Sequence, residues 1–457
     1  MCTVGYLKYE DETPSEKAIP AGDINVAKAA MQMHQAGRLD DARSEYQAVI
    51  ASHPEHPDAW HLLGLLHAQQ GRFEDAARHV QRALELCPDE AIFHNNLGNV
   101  EIERQCLDEA EAHYRRAIEL DPGRLDAVNN LGVLLGRRGD PDAAERVLRA
   151  LIQAAPDFSD ARVNLANVFL RTGRAGEAVQ VCTEAMLTQA PSRALRRLLG
   201  AAYALNGRVA EAEQVYAAWL QAEPDDPLAL HHWRACSGRD VPPRAADAYV
   251  QQVFDGFAKS FDAKLASLGY QAPELVAQAL ARAAGAPAKT MDILDAGCGT
   301  GLCAPLLAPW ARRLVGVDLS EGMLQRAALR GGYNALEHSE LLAFLQAHAQ
   351  AWHAVVSADT LCYFGDLGPF AHAACASLVP GGWLVFTVEA SPEEDKQPCR
   401  LHPHGRYSHR LDAVLAWLLE AGLQPVETRQ AVLRHEGGEA VQGHVVVARR
   451  AHSVTSP

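Results

Sequence analysis

No stretch of the 457-residue chain approaches the roughly 18 to 20 consecutive apolar residues that span a bilayer, so a membrane anchor is not expected. The opening residues, MCTVGYLKYEDETPSEKAIP, have neither a basic flank nor an apolar core. That excludes a secretory signal and predicts a flexible polar tail over residues 1–22. Ten cysteines are present, but none forms a CxxC pair and their spacing is irregular. Reduced thiols in the cytoplasm fit that pattern better than a disulfide framework. Basic charge is short too: 42 Lys and Arg face 57 Asp and Glu, for a formal net charge of −15. Nucleic acids and anionic membrane surfaces both draw Lys and Arg, so neither is an expected partner. The pairs Arg137-Arg138, Arg196-Arg197 and Arg312-Arg313 read as solvated helix faces. What remains is ordinary for a globular chain, 48% hydrophobic and 22% charged, with length for about two or three domains.

The first half repeats every 34 residues or so. Pro54, Pro88, Pro122, Pro156, Pro191 and Pro224 keep the period, as do Ala42, Ala76, Ala110, Ala144, Ala178 and Ala212. Gly37, Gly71, Gly139, Gly173 and Gly207 form a third register, with Gln105 in the slot where another glycine is due. In AWHLLGLLHAQQGRFEDAARHVQRALELCPD, apolar residues recur at helical spacing on both sides of Gly71. Gly71 lets the chain turn out of the first helix, and Pro88 stops the second. Gly64 and Ala76 are small where two antiparallel helices must approach. Each unit is a helical hairpin that cannot bury its own apolar face, so the units stack into a solenoid.

These residues resemble the tetratricopeptide repeat. Trp60, Leu63, Gly64, Ala76, Ala83 and Pro88 match its pattern in one unit, and Leu199, Gly200, Tyr203, Ala212, Tyr216 and Pro224 in another. The solenoid is expected over residues 23–238, as about six repeats plus a capping helix at 226–238. The resemblance implies a concave groove that binds a protein or peptide. Asn96, Asn130 and Asn164 stand 34 residues apart on successive first helices, and a carboxamide offers a donor and an acceptor together. They resemble the asparagine ladder of repeat-containing O-linked glycosyltransferases. The plainer alternative is that Asn is simply common before Leu-Gly in such repeats.

Residues 239–247 carry two prolines, charge and small side chains, and read as a linker. Over 248–450 strand and helix signals alternate: TMDILDAG, RLVGVDLS, YNALEH, WHAVVSADT and GWLVFTVEA as strands, with helices between. QPVETRQAVLR and AVQGHVVVARR form a closing antiparallel pair about a Gly-rich turn, and residues 451–457 a tail. The expected fold is an α-helical solenoid followed by an α/β domain with a mostly parallel sheet.

In ILDAGCGTGLCAP, the glycines fall as Gly297-x-Gly299-x-Gly301 at the end of the first strand. A nicotinamide fingerprint would need glycine where Leu302 stands, and a P-loop would need a lysine. The run Asp295 to Gly301 instead resembles motif I of the class I S-adenosylmethionine-dependent methyltransferases. GVDLSEGML, SADTLCYF and LVPGGWLVF resemble later segments of that family in order. So does the closing antiparallel pair, which fits its seven-stranded, Rossmann-like sheet. FDGFAKSFDAKLASLGYQAPELV and HPHGRYSH, with the repeats, resemble a bacterial group of predicted methyltransferases fused to tetratricopeptide repeats.

The resemblance implies S-adenosyl-L-methionine as cofactor. Asp295, Gly297, Gly299 and Gly301 would surround its methionine portion, and Asp318 would accept from the ribose hydroxyls. Leu319 and Met323 would lie against the adenine, and Glu340 would accept from its amine. DTLCY replaces the family's D/N-P-P-Y segment, so an adenine-N6 or glutamine-amide methylase is not expected. Asp359 has two readings, an acceptor-orienting residue or a structural hydrogen-bond partner. CRLHPHGRYSH (399–409) invites a zinc site through Cys399, His402, His404 and His409, but no second ligand pair is evident, and no metal is expected. Either His409, His402 or Tyr407 deprotonates or orients the nucleophile there, or the segment is a polar surface loop. Phe254, Phe257, Phe261 and Tyr270 are expected on a helical lid over the cofactor, with Tyr270 alone a candidate contact.

The expected function is thus S-adenosylmethionine-dependent methyl transfer, with the repeats recruiting a protein or peptide. The alternatives are a small-molecule or lipid-linked acceptor with the repeats used for assembly, or a non-catalytic scaffold. Neither the acceptor atom nor the oligomeric state follows from the sequence.

Overall fold

The computed structural model describes residues 29–188 and 192–451. The two tails, the first residues of the first repeat and Pro191 lie outside the described residues, apart from Ala451. Contacts divide the chain into two compact units, meeting between Leu198 and Leu199.

The first unit is a succession of helical hairpins. Leu39–Ser52, Pro57–Gln69, Phe73–Leu86, Ala91–Glu103, Leu107–Leu120, Leu125–Arg137, Pro141–Ala154, Ser159–Arg171 and Ala175–Thr188 follow one another with short turns. The three sequence registers each have a packing cause. Ala42, Ala76, Ala110, Ala144 and Ala178 are all fully buried, where the second helix of each hairpin meets its neighbours. A Cβ added at Gly64 would lie 2.6 Å from Val80, and one at Gly98 2.6 Å from Tyr114. Both distances are too short for any Cβ, so the bare backbone of each glycine receives the facing side chain. Gly71, Gly139 and Gly173 turn with φ of 75°, 84° and 74°. Gln105 adopts φ 64° in the same slot, so the turn is kept at the cost of about 1 kcal/mol of left-handed strain.

The asparagines expected to read a peptide are spent inside the solenoid. Asn130 Nδ2 donates to Asn95 Oδ1 and Asn99 Oδ1, each at 3.1 Å. Asn164 Nδ2 donates to Asn129 Oδ1 at 2.8 Å, and Asn96 Nδ2 meets His61 Nε2 at 3.0 Å. All three side chains are buried. Each bond crosses from one hairpin to the next, so the amides fasten neighbouring repeats from buried positions. The ladder reading of Asn96, Asn130 and Asn164 is corrected accordingly.

The second unit carries the α/β sheet. Its strands are β1 (Met291–Ala296), β2 (Ala311–Asp318), β3 (Ala335–His338), β4 (Trp352–Ser357), β5 (Leu378–Ala390), β6 (Cys399–Leu401), β7 (Tyr407–His409), β8 (Leu423–Glu436) and β9 (Glu439–Arg450). The order β3-β2-β1-β4-β5 is parallel throughout. Along residues Trp383 to Glu389 the free edge of β5 takes β9 antiparallel, and β9 takes β8. These seven strands are the expected sheet. Two short strands are added: β7 pairs with the end of β5, and β6 with β7, so CRLHPHGRYSH is a hairpin and not a surface loop.

Alternation along the strands builds two cores. Ile293, Ala354 and Val385 face the helix Ala272–Ala284, while Leu294, Val355 and Leu384 face the helices Leu341–Ala347, Gly368–Ser377 and Leu411–Glu420. Gly368–Ser377 has no apolar stripe to betray it in the sequence, because it is built from small residues buried on several sides. The helices Val209–Ala222 and Pro227–Ser237 also belong to this unit, packing Tyr216, Trp219 and Leu228 against Ala245 and Tyr249. Among the described residues no helix is long and apolar enough to cross a membrane.

Asn130→Ala should lower the stability of the repeats by about 1–3 kcal/mol, because it strips a buried acceptor of its donor. A urea midpoint unchanged from wild type would show that the amide is not part of the inter-repeat fastening.

Candidate functional site

A cavity of about 290 Å³ opens where β1, β2 and β4 end, the edge at which parallel α/β sheets hold ligands. Its floor is the turn after β1, and the three glycines there do different things. Gly297 (φ 77°) abuts Thr360, whose side chain would collide with any Cβ. Gly301 (φ 84°) packs tightly under Tyr333 and Ala327, which would stand 3.0 Å and 3.4 Å from a hypothetical Cβ. Gly299 (φ 53°) is the least crowded, a hypothetical Cβ there meeting Phe261 at an ordinary 3.8 Å. Gly297 and Gly299 line the cavity, whereas Gly301 does not.

Asp318 ends β2 and fixes the turn. Its Oδ2 accepts from Gly299 N at 2.8 Å and its Oδ1 from Ser320 N at 2.9 Å. Each oxygen keeps a lone pair for a ligand. Burial raises its pKa, against the opposing pull of those amides. Leu319, Met323 and Glu340 also line the cavity. Glu340 Oε2 caps the helix Leu341–Ala347 by accepting from Ala343 N at 2.8 Å. Asp295 lies beneath the turn instead, its Oδ2 accepting from Tyr333 Oη at 2.6 Å. Burial pushes Asp295 up to about 7. It supports the loop and does not reach the cavity.

The helices Asp247–Phe257 and Phe261–Ser267 form the expected lid, with Phe254, Phe257, Phe261 and Tyr270 on the cavity wall. Two carboxylates that belong to none of the sequence motifs fasten it. Asp255 accepts from Ser320 Oγ at 2.5 Å and from Gly322 N at 3.2 Å. Asp262 accepts from Thr300 Oγ1 and from Arg330 Nη2, both at 2.5 Å. Both lid helices are thereby tied to the glycine turn and to the helix that follows β2.

The opposite end of the cavity is charged. Asp359 follows β4 with φ 56°, and its Oδ2 accepts from Arg434 Nη1 at 2.6 Å. Arg434 also donates to Glu389 and, at 2.7 Å, to Glu436. Arg406 donates to the same two acids, at 2.6 Å each. Burial pushes Asp359 up to about 6 in spite of Arg434. For Glu436 the balance is opposite: burial would raise it, but Arg406 and Arg434 together hold it at about 2. Ligand atoms of Asp359, Cys362 and Glu389 lie within 4.8 Å of one another. Arg434 is bonded to both acids of that trio, so a guanidinium already stands where a metal ion would.

His409 and Tyr407 are corrected as catalytic candidates. Both are buried outside the cavity lining. His409 Nε2 meets the Phe364 carbonyl at 2.8 Å, and burial pushes the ring down to about 4. Tyr407 Oη donates to the Pro242 carbonyl at 2.7 Å. Pro243 O accepts from Gly365 N and Asp366 N at 2.8 and 2.9 Å, and Ala245 N donates to Tyr363 O at 2.8 Å. The segment read as a linker is thus held against the turn after β4, and its Arg244 lines the cavity. Arg406, which lines the cavity, is less conspicuous in the sequence than the histidines beside it. Arg434 sits in a strand whose sequence showed only alternation.

A family model described as a methyltransferase domain matches residues 268–428. Tetratricopeptide-repeat models match residues 35–91, 68–124, 129–194 and 169–231. Human methyltransferase-like protein 27 is 43% identical over 84 residues, 18% of this chain and 34% of that protein. The ubiquinone biosynthesis O-methyltransferase of Hydrogenovibrio crunogenus is 29% identical over 103 residues, 21% of this chain and 42% of that protein. The chain therefore covers less than half the length of either relative. A solved S-adenosylmethionine-dependent methyltransferase from Mesorhizobium loti superposes with a TM-score of 0.32 at 21% identity, covering 38% of this chain and 98% of its own. Repeats and sheet together identify the chain as a tetratricopeptide-repeat protein fused to a methyltransferase domain.

Proposed function

We propose that this protein is a cytoplasmic class I methyltransferase that uses S-adenosylmethionine and recruits a protein or peptide through its repeats. The observation that carries the cofactor is the pairing of an open glycine with a forked carboxylate: Gly299 leaves room for a ligand beside the backbone, and Asp318 has one lone pair free on each oxygen. A ribose offers two adjacent hydroxyls to such a fork. In this reading Gly297 and Gly299 border the methionine portion, Leu319 and Met323 flank the adenine, and Glu340 accepts from its amine. Asp295 and Gly301 act at one remove, by holding the turn in shape. S-adenosylmethionine supplies an electrophilic methyl group. The chain's own part is to orient an acceptor and exclude water, which the aromatic lid is suited to do. Residues 248–450 would form the catalytic domain and 23–238 the recruiting solenoid, joined by 239–247. Recruitment falls to side chains other than Asn96, Asn130 and Asn164.

A second reading, a small-molecule acceptor, is favoured by the aromatic wall of Phe254, Phe257, Phe261, Tyr363 and Phe364. The relatives named for O-methylation in ubiquinone biosynthesis point the same way.

Calorimetry with S-adenosylhomocysteine should show binding to wild type, weakened by about tenfold or more in Asp318→Ala, the loss expected for charge-assisted hydrogen bonds. Undiminished binding by that variant would sink the cofactor assignment. Incubating the enzyme with lysate and tritium-labelled S-adenosylmethionine should leave label in precipitable protein. Label confined to small, extractable products would replace the first reading with the second.

A further inference from the structure

The charged end of the cavity does not balance. Arg406 and Arg434 carry two positive charges, while Asp359, Glu389 and Glu436 carry three negative ones. Lys264 also lines the cavity, but among the described residues the cations that act most strongly on Asp359 are Arg434 and Arg406 themselves. The hydroxyls of Tyr270 and Tyr363 and the thiol of Cys362 are kept protonated by burial. His404, beside Glu389, is pushed by burial to about 3 and stays neutral. Arg244, on the same cavity wall, is bonded to Asp247. Asp359 Oδ1 has no partner among the described residues. Its carboxyl bears the imbalance, as its raised pKa records. An unmatched carboxylate in a low-dielectric site is costly unless a cation joins it.

The location narrows which cation. Thr360, the next residue, packs against Gly297 and donates to its carbonyl at 3.2 Å. Asp359 therefore adjoins the part of the glycine turn assigned above to the methionine portion of the cofactor. Resting on that reading, we propose that the Asp359–Arg434–Glu389–Arg406–Glu436 cluster is a counter-charge for the sulfonium, selecting charged S-adenosylmethionine over its neutral-sulfur product. Once the methyl group has left, the sulfur is uncharged and the cluster no longer favours the ligand. The cluster so biases the site towards reloading.

The test is calorimetric and needs no acceptor. S-adenosylmethionine, S-adenosylhomocysteine and sinefungin, which carries an amine near the place of the sulfonium methyl, are titrated into wild type and into Asp359→Asn. Wild type should bind the two cationic ligands about tenfold tighter than S-adenosylhomocysteine, and the variant should bind all three within about twofold, as expected for one charge removed from a partly screened site. An unchanged preference in Asp359→Asn overturns the proposal. Equal weakening of all three ligands also overturns it, by putting the carboxylate at the amino group they share. Should Asp359→Asn melt early, Glu436→Gln, on the most exposed acid of the cluster, decides: the preference must shrink in the same direction. Failure of wild type to bind any of the three removes the methyltransferase reading itself, a result distinct from a lost preference.

Discussion

The fork of Asp318 governs the geometry of the glycine turn in the α/β unit. One carboxylate holds Gly299 N and Ser320 N at once, and so sets the glycine turn and the start of the helix Glu321–Arg330 in a single stroke. The lid is fastened beside these anchors, since Asp255 accepts from Ser320 Oγ and Asp262 from Thr300 Oγ1, one residue after Gly299. Backbone bonds from Gly297 N and Cys298 N to Val317 O hold the start of the same turn, and the fork fixes its middle. Two backbone amides offset part of the cost of burying this charge.

The ends of the cavity differ in electrostatic character. Around Asp318 the field comes from backbone amides, whereas around Asp359 it comes from whole charges on five side chains drawn from β5, β8, the hairpin and the turn after β4. Dipoles fixed by the main chain tolerate sequence change, because any residue carries an amide. The ionic cluster has no such latitude: removing Arg434 takes a donor from three acids and leaves Asp359 without a guanidinium, and removing Arg406 takes a donor from two.

That difference explains what could be read from the sequence. Gly297, Gly299, Gly301 and Asp318 sit close together along the chain at spacings imposed by a strand and a turn, so the pattern survives in one dimension. The repeats were legible for the same reason, down to the glutamine that replaces a glycine at 105 and still turns left-handed. Arg434, Glu389 and Arg406 meet only through the sheet, and nothing in their local sequence marks them. Tyr407 and His409 misled because their chemistry is conspicuous. In the fold Tyr407 Oη and His409 Nε2 are tied to the carbonyls of Pro242 and Phe364. Asn96, Asn130 and Asn164 misled in the same way, since a periodic amide can serve the protein's own seams as well as a guest.

The bound segment from Pro242 to Ala245 alters how the chain can be divided. By composition it looks like a place to cut. Yet a fragment beginning at residue 248 would leave Tyr407 Oη, Gly365 N and Asp366 N without the carbonyls they now bond. It would also remove a guanidinium from the cavity wall. His231 and His232 reach the carbonyls of Gly405 and Pro403, on either side of the hairpin tip, at 2.9 and 3.1 Å, so even a start at residue 239 sacrifices support. The last helices of the solenoid are, in engineering terms, part of the catalytic cassette, and a domain graft would have to carry them along.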